Sequence, residues 1–498
     1  MKEQLKIRGT SKSLERFGHA AVIGGSMAGL LTARALSDHF ERVTIIECDR
    51  LPERPEPRKG APQARHLHAL MNRGLRILNS FFPRLQDELV ARGALVIDMS
   101  HDMTWLTPAG WGVNFPSDIA IMGCSRDLLE WCVRQELLAI PQVQFVNGCS
   151  VCGLVPTDDG NGIQGVRVQR RDVPGSAEQM IEAELIVDAS GRGSRASQWL
   201  LALGHAIPEE IVIDASLGYT SRVFRRHGKL PDGRYGAYVQ PAPPYNNRGG
   251  VLFPVEGDRW ILTLAGYGGD YPPTDEAGFM NFMRSLRSSI IYDAIKDATP
   301  LSEIYSYRAT ENRLRCYDKL SRMPDGFVVV GDAACAFNPV DAQGMTAAAL
   351  GALVLHECLT EQRKRRRDGS LFGFSLRFQK KLAKVNSAPW MLATSEDLRV
   401  PGVTGGTPDR ITHFMQHYVD RVVALSTESA AVRDGLLRVF NLLEGPQTLF
   451  HPRIVVRVVR RVLKESMRRL AISSTESPAT KWSCTASNRG HAIRSTIE

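Results

Sequence analysis

The residues best suited to chemistry near the start of the chain form a short glycine-rich run. The run consists of Gly24, Gly25, Ser26, Met27, Ala28 and Gly29. It follows the apolar residues 20–23, and a second apolar stretch about 20 residues later ends in Glu47. Glycines at the first and last positions permit a tight turn and close packing of a helix, whose N-terminus offers free N–H groups to a phosphate. Because a carboxylate after the second strand can accept both ribose hydroxyls, the unit predicts dinucleotide binding, with Ser26 in place of the usual middle glycine.

A second signature lies far downstream and has the composition of a buried strand that ends in a glycine-aspartate pair. Residues 327–330 are all apolar, and Gly331 and Asp332 follow them. A dinucleotide-binding fold alone binds either NAD or FAD, whereas the two signatures in this order favour FAD. We expect a small-residue helix at 344–359, which permits close contact with a neighbouring backbone or a planar ligand.

Apolar periodicity predicts the elements that position these residues. We expect a helix at 30–39 between strands at 20–23 and 43–47, further helices at 67–79, 84–92 and 128–138, and strands at 142–155, 165–170, 185–188 and 327–330. The strand at 185–188 should return to the first sheet. From 217 to 308 aromatic and β-branched residues recur between turn signals, which predicts an antiparallel sheet that roofs a cavity.

The predicted fold class is α/β, with a Rossmann-like FAD-binding domain, an inserted antiparallel β-sheet substrate domain and a C-terminal helical region. The expected bounds are 18–204 plus 310–365 for the first domain, 205–309 for the substrate-binding layer, 366–470 for the helical region and 471–498 for a disordered tail. A length of 498 residues is sufficient for such a division and for a substantial core.

Composition is that of a soluble globular protein. Hydrophobic residues make up 43% of the chain and charged residues 23%, and no apolar run reaches the length of a membrane span. The basic segment 1–17 lacks an apolar core and is predicted to be a disordered lead rather than a signal peptide. The nine cysteines are scattered, and the Cys-x-x-Cys pair at 149–152 lacks the second pair of a zinc site. We therefore expect free thiols, no metal and a cytoplasmic location.

The net charge of +9 is concentrated in two places. The run at 363–367 reads as a solvated loop after a helix rather than a nucleic-acid patch, because no nucleic-acid module accompanies it. At 453–470 apolar residues repeat at helical spacing among arginines, which predicts a basic amphipathic helix. This helix either packs on the rest of the protein or makes a peripheral contact with an anionic membrane.

Taken together, these segments resemble the FAD-dependent monooxygenases of the para-hydroxybenzoate hydroxylase type, the group A flavoprotein hydroxylases. The matching blocks are the N-terminal fold, the stretch from Asp188 to Ser194, and Gly331-Asp332 with Asn338-Pro339 and Gln343-Gly344. A narrower resemblance, carried by 58–68, 250–256 and 390–401, is to bacterial FAD-dependent oxidoreductases or epoxidases that include polyene epoxidases of polyether biosynthesis.

This resemblance implies roles for particular residues. Asp332 would contact the ribityl chain of FAD, while Pro339 and the start of the following helix, Gly344 and Met345, would border the isoalloxazine ring. Arg65 and Arg126 would contact the diphosphate or ribose. The block that begins at Asp188 is tied to both FAD and NAD(P)H, and it departs here from the common pattern. Asp341 also departs from the pattern, as a charged residue beside the expected flavin face.

The implied reaction begins with reduction of FAD by NADPH or NADH, or by a partner flavin reductase, since only one dinucleotide fold is present. A flavin C4a-hydroperoxide formed from O2 would then transfer one oxygen atom to an organic metabolite, by hydroxylation or epoxidation, in secondary metabolism. The sequence identifies no catalytic base: His66 and His68 are candidates, but a structural role is favoured for each. Phe253 and Trp260 are expected to line the substrate pocket between the flavin and the antiparallel layer.

Three other classes of protein are weighed against this prediction. Flavin-dependent halogenases carry a Trp-x-Trp motif, and the seven tryptophans of this chain are never two positions apart. A flavin-dependent reductase that saturates isoprenoid double bonds would not couple oxygen uptake to product formation. The amphipathic helix motivates a membrane-associated, non-catalytic flavoprotein. The substrate and the oligomeric state stay open.

Overall fold

The computed structural model describes residues 16–173, 175–366 and 368–475. The strands are β1 Phe17–Ile23, β2 Phe40–Glu47, β3 Leu95–Asp98, β4 Met103–Thr107, β5 Gly110–Trp111, β6 Ala120–Gly123, β7 Val143–Asn147, β8 Cys149–Pro156, β9 Ile163–Arg170, β10 Gln179–Glu182, β11 Leu185–Asp188, β12 Glu210–Ile213, β13 Gly218–Arg225, β14 Gly236–Val239, β15 Arg248–Val255, β16 Arg259–Gly266, β17 Tyr305–Tyr307, β18 Asn312–Arg315, β19 Phe327–Val329 and β20 Cys335–Ala336. The helices are α1 Met27–Ser37, α2 Asn72–Phe81, α3 Leu85–Ala91, α4 Arg126–Leu138, α5 Ala196–Ala202, α6 Glu276–Arg284, α7 Ile290–Ile295, α8 Gly344–Arg365, α9 Phe374–Asp397, α10 Arg410–Ser426, α11 Ala430–Phe440 and α12 Pro452–Thr475.

A five-stranded parallel sheet in the order β19-β11-β1-β2-β7 carries both glycine signatures. Its strands are mostly apolar and buried, because helices such as α1 and the three-stranded sheet β10-β9-β8 pack against it in one core. The strand β11 pairs with β1, as the sequence predicted, and β19 pairs with β11 so that Asp188 lies opposite Val329. The two signatures, although far apart in sequence, therefore leave the same sheet at the carboxyl ends of nearby strands.

A seven-stranded, mainly antiparallel sheet forms the second layer, in the order β17-β13-β16-β15-β14-β4-β5. This confirms the antiparallel sheet predicted between 217 and 308. The edge strands β4 and β5 were not predicted as part of it, and β4 joins in parallel with β14. On one face, side chains of α6 and α7 pack against the sheet in a buried cluster that includes Phe279, Met283 and Ile291. The opposite face carries a second buried cluster with Trp105 and Phe253.

Several predicted bounds are wrong for identifiable reasons. The helix α1 begins at Met27, three residues before the prediction, because the glycine-rich turn is already its first turn. Helix α2 begins at Asn72 rather than 67, since the preceding residues are extended and the Leu67 amide donates to Thr263 Oγ1, 3.3 Å away. The stretch 142–155 is two strands in different sheets, separated at Gly148, where φ is +69°.

The C-terminal region is helical, as predicted, from α8 onward. The basic residues at 363–365 were predicted to lie in a loop, but they form the last turn of α8. Cations at this end of a helix stabilise it through the helix dipole. The chain divides into two compact units, 1–450 and 451–498, and the second contains α12. Residues 471–475, expected in a disordered tail, continue α12. The rest of that tail and residues 1–15 of the predicted lead lie outside the described residues, while Phe17, at the end of that predicted lead, already belongs to β1. None of the described helices combines the length and apolarity that crossing a bilayer requires.

Candidate functional site

The first signature is a tight turn between β1 and α1. Gly24 adopts a φ of +101°, and a Cβ atom on it would lie 2.6 Å from the Ala189 carbonyl oxygen. A Cβ atom on Gly29 would overlap the carbonyl oxygen of Gly24. Glycine is therefore required at both positions for the start of α1 to approach the carboxyl ends of β1 and β11.

The N-terminus of α1 has the features of an anion site. Ser26 precedes the helix, but its hydroxyl does not cap it. The hydroxyl instead accepts from Arg126 Nη2 at 2.9 Å and donates to Glu130 Oε2 at 3.1 Å. The serine side chain is thus turned toward α4, which leaves the first-turn N–H groups of Met27 and Ala28 beside a buried arginine. Helix dipole and guanidinium both favour a phosphate group here.

Glu47 lies at the end of β2 with its carboxylate held in place. Its Oε2 atom accepts the Gly25 N–H at 2.7 Å, and its Oε1 atom accepts the Asp49 N–H at 2.9 Å. A buried arginine, Arg58, lies 3.5 Å from Glu47, 3.0 Å from Asp49 and 2.9 Å from Glu130. Burial acts to lower the pKa of Arg58, but the neighbouring Glu130 and Glu47 raise it overall, so Arg58 stays a cation.

Sequence reasoning gave no role to Arg58 or Glu130, although both lie at the predicted nucleotide site. A signal for Glu130 would have been its spacing of four residues from Arg126, but the predicted helix began only at 128, whereas α4 begins at Arg126 and makes the two side chains face each other. The two side chains are 2.6 Å apart. No comparable local signal exists for Arg58, since its carboxylate partners come from other elements.

The second signature meets the first in space. Gly331 has a φ of +58°, and a Cβ atom on it would lie 2.6 Å from the Ala28 Cβ atom. Asp332 follows, and its Oδ1 atom is 3.9 Å from the place of a Cβ on Gly344. Burial raises the pKa of Asp332, while Arg192 and Arg126 oppose the rise. The Asp332 carboxylate accepts no hydrogen bond from any residue in the described ranges, so it can accept hydroxyl groups of a ligand.

The loop between β20 and α8 is fixed by a buried network of amides and one carboxylate. Asn338 and Asn312 each donate a side-chain N–H to Asp397 at 2.7 Å, and Asn312 Oδ1 accepts the Asn338 backbone N–H at 2.7 Å. Burial raises the pKa of Asp397 to about 8. Within the described part of the chain, Asp341 Oδ2 and Gln343 Oε1 are buried without a hydrogen-bond partner. Unsatisfied polar atoms at the start of α8 fit the polar edge of a flavin ring.

Three further residues that were predicted to bind the cofactor make contacts with other parts of the protein. The Asp188 carboxylate is fully buried and accepts from Ser190 and Ser194, so it shapes the loop after β11. The Arg65 guanidinium lies over the Tyr305 ring, 4.5 Å from its centroid. Met345 packs against the main core from the first turn of α8. Direct contact of these side chains with a cofactor stays a prediction.

An apolar cavity lies between the loop before α8 and the second sheet. It encloses about 960 Å³ of space not filled by atoms, part of which is open to solvent. The residues lining it include Leu67, Trp105, Tyr238, Phe253, Pro339, Val340, Ala342 and Phe440. Phe253, predicted to line the substrate pocket, lines this cavity. Trp260, predicted to do the same, packs instead on the other face of the sheet with Phe279 and Met283, and its indole donates to the Tyr235 carbonyl. Binding of substrate in this cavity stays a prediction.

The two histidine candidates are placed as structural groups. His66 is buried, with Nδ1 2.8 Å from Ser221 Oγ and its ring edge-on to Tyr219. Burial lowers the pKa of His66 to about 3 and that of His68 to about 4. Both rings are therefore neutral at physiological pH, and His66 ties the loop before α2 to β13.

The fold of this chain, a parallel sheet with a second, antiparallel layer, is similar to that of solved FAD-dependent monooxygenases and flavin-dependent halogenases. The flavin-dependent brominase Bmp2 superposes with a TM-score of 0.63, at 12% identity, over 91% of this chain and all of that one. PqsL of Pseudomonas aeruginosa, a probable FAD-dependent monooxygenase, superposes with a TM-score of 0.58, at 17% identity, over 76% of this chain and 96% of that one. At these identities the likeness concerns the fold alone.

Sequence comparison identifies the family more narrowly. No model of a known protein family matches the chain. Protein Rv3254 of Mycobacterium tuberculosis is 32% identical over 486 residues, which cover 92% of this chain and 98% of that protein. The chain belongs to the family of Rv3254.

Proposed function

We propose that this protein is an FAD-dependent monooxygenase that inserts one oxygen atom of O2 into an apolar organic metabolite, by hydroxylation or epoxidation. The observation that carries the proposal is the convergence of the two glycine signatures at the N-termini of α1 and α8, beside the apolar cavity. The particular type of para-hydroxybenzoate hydroxylase, the epoxidase likeness and a setting in secondary metabolism are part of the proposal and rest on sequence resemblance.

The residues present fit FAD along the whole length of such a cofactor. Glu47 would hold the ribose, the first turn of α1 with Arg126 would hold the diphosphate, and Asp332 would accept the ribityl hydroxyls. Pro339 and the start of α8 would border the ring. The steric demand at Gly331 and the unpartnered carboxylate of Asp332 support this placement.

FAD supplies the redox chemistry and the activation of oxygen when it is bound. The chain would position the cofactor and the substrate, exclude water from the site and stabilise charge that develops on the ring. The N-terminus of α8 points positive partial charge at the loop 339–343, where it would stabilise negative charge on the ring. Burial, with Asp397 and Glu396 adding to it, raises the pKa of Asp341 well above its ordinary value. The raised pKa disfavours the charged form of Asp341 beside the proposed cofactor site.

The apolar lining of the cavity would exclude water from the reacting centre and select an apolar substrate. The electron donor is proposed to be NADPH or NADH, or a partner flavin reductase. The described cysteines are all free thiols, which supports the proposed cytoplasmic location. Peripheral membrane contact through 453–470 stays a separate possibility to be tested by vesicle pelleting.

The experiment that tests the proposal uses the FAD-loaded protein, a nicotinamide donor and isotopically labelled O2. A set of apolar alkenes, phenols and acids is incubated with it, and products are analysed by mass spectrometry. Incorporation of one labelled oxygen atom, coupled to oxygen uptake, is the expected result. Saturated products without oxygen uptake would instead identify a reductase.

Halogenation is a rival reaction to be tested, since the brominase Bmp2 has a similar fold. The absence of a Trp-x-Trp motif in the sequence argues against it. The same assay repeated with bromide and with chloride separates the two reactions, because a halogenase gives products that contain the added halogen. Oxygenated products in both salts are expected.

A further inference from the structure

Arg433 on α11 is a buried cation without a counter-ion. Only 1% of its surface is exposed. Across the described residues, its Nε and Nη2 atoms have no hydrogen-bond partner and no carboxylate forms an ion pair with it. Burial lowers the pKa of Arg433 to about 10, so the side chain stays charged at neutral pH. An unpaired buried charge strongly destabilises a folded protein. Such a group therefore calls for an explanation, and a ligand that supplies the missing counter-ion is one.

The position of Arg433 relates it to the cavity. Its guanidinium carbon lies 5.5 Å from the centroid of the Trp105 ring, and that ring lines the cavity. Phe440, another lining residue, follows Arg433 by seven positions and so lies on the same face of α11. The Trp105 ring is 5.3 Å from the rings of both Phe440 and Tyr238. Arg433 therefore stands directly behind the aromatic wall of the cavity.

The absence of a side chain at Gly112 makes room for the guanidinium. A Cβ atom on Gly112 would overlap Arg433 Nη1. The two unpartnered atoms, Nε and Nη2, share one edge of the planar guanidinium. This is the edge that binds a carboxylate through two parallel N–H···O bonds.

We propose that the cavity takes an apolar organic acid whose carboxylate binds the Nε and Nη2 edge of Arg433. The apolar body of the acid then lies against residues such as Val251 and Phe253, and its far end reaches the loop at Pro339 and Val340. This inference rests on the proposed function in taking the cavity as the substrate site. Both nitrogen atoms are buried, so docking of the carboxylate requires a side chain between them and the cavity to shift. The proposal assigns this movement to Trp105, whose ring lies 5.5 Å from the guanidinium carbon and lines the cavity.

Binding of matched acids and amides to the full-length, FAD-containing protein tests the inference. The probes are decanoate with decanamide and phenylpropionate with its primary amide, measured by calorimetry at neutral pH. Each pair has one shape and differs in charge. We expect the wild-type protein to bind the acids at least about tenfold more tightly than the amides. Arg433→Met should remove that preference while amide binding is kept, and Arg433→Lys, which retains the charge without the two-atom edge, should keep part of it.

The control variant is Arg438→Met on the same helix. Arg438 is paired at the surface, 2.8 Å from Asp434 and 2.6 Å from Asp118, and should keep the full acid preference when changed. Thermal unfolding adds an independent readout. Since the Arg433 side chain makes no hydrogen bond to any residue that the structure describes, none would be lost in Arg433→Met. This variant without ligand should melt no lower than the wild type, and decanoate should raise the melting temperature of the wild type only.

Three results would overturn the inference. They are equal binding of acids and amides by the wild type, an acid preference that survives in Arg433→Met, and a markedly lower melting temperature of that variant without ligand, which would indicate a structural arginine. Binding of bromide or chloride that depends on Arg433, with no binding of acids, would identify a halide site instead. FAD content and oxygen uptake are measured on the same preparations. A flavin-loaded, oxygen-consuming enzyme without acid preference refutes only this inference, and a protein without flavin refutes the proposed function.

Discussion

At the scale of single residues, the absence of a side chain at Gly331 matters as much as any functional group. The positive φ of Gly331 and its closeness to Ala28 bring the end of β19 against the first turn of α1. Asp332 is thereby placed between the two helix N-termini with its carboxylate free to accept hydroxyls. The proposed FAD site depends on this contact between segments that are far apart in sequence.

Gly331→Ala should therefore weaken FAD binding by at least about tenfold, because the new methyl group meets the Ala28 Cβ atom and must push the two signatures apart. FAD content after purification and affinity for added FAD are the measurements. Gly369→Ala is the matched control: Gly369 has a φ of +73° but no atom within 4 Å of an added Cβ. It should lose only about 1 kcal/mol of stability through backbone strain and keep its FAD. Full FAD occupancy in Gly331→Ala would show that the second signature is misplaced.

At the scale of elements, the sequence predicted those helices and strands whose formation depends on residues close together in the chain. The β1-α1-β2 unit, the return of β11 and the antiparallel character of the second sheet follow from apolar periodicity and turn residues. Pairing between distant segments was not predictable. The strands β4 and β5 belong to the second sheet because β4 pairs with β14, which lies far from it in sequence. Trp260 faces away from the cavity because the strand register places it opposite Phe224 and Pro254.

The residues of the candidate site were predictable to the same extent as the elements, that is, only where a local pattern marks them. Residues inside motifs, from Gly24 to Gly29 and at Gly331 and Asp332, follow strands of one parallel sheet, as the motifs imply, and their contact with a cofactor stays a prediction. Arg58 was missed because its carboxylate partners come from distant parts of the chain. Arg433 was missed because only the tertiary structure shows that it is buried and that two of its nitrogen atoms have no partner among the described residues. A single sequence contains no local pattern that reports an unpaired buried arginine.

The burial of His66 makes stability depend on pH. The pKa of His66 is lowered from 6.5 to about 3 in the folded protein. Between these values the unfolded chain binds the extra proton, so the contribution to stability is complete above pH 6.5 and is lost as the pH falls, by up to about 1.4 kcal/mol per pH unit. His66→Gln should flatten the pH dependence of the melting temperature below pH 6.5.

Thermal unfolding of the wild type and both variants between about pH 5 and 8 measures this effect. His227→Gln provides the control, since His227 is an exposed histidine. Its profile should follow that of the wild type. An unchanged slope in His66→Gln would mean that the pKa of His66 is not lowered in the folded protein, and would reopen His66 as a candidate catalytic base.

At the scale of the whole molecule, the residues proposed to bind FAD and substrate all belong to the unit that ends at residue 450. The second unit contains the basic helix α12. A chain shortened after residue 450 should therefore keep wild-type FAD content and the acid preference of the cavity. Absorbance of the purified shortened protein and calorimetry with decanoate check this. Loss of FAD from a well-folded shortened protein would mean that the second unit contributes to the site.

The central claim, that the two glycine signatures form one FAD site in an enzyme that reacts with oxygen, is tested most directly by the visible spectrum of the purified protein. The spectrum is recorded under air and again after anaerobic addition of NADPH, and then air is readmitted. The proposed function predicts a two-banded oxidised flavin spectrum that bleaches with NADPH, or with a flavin reductase added, and returns with oxygen. A colourless protein that cannot be reconstituted with FAD would contradict the account.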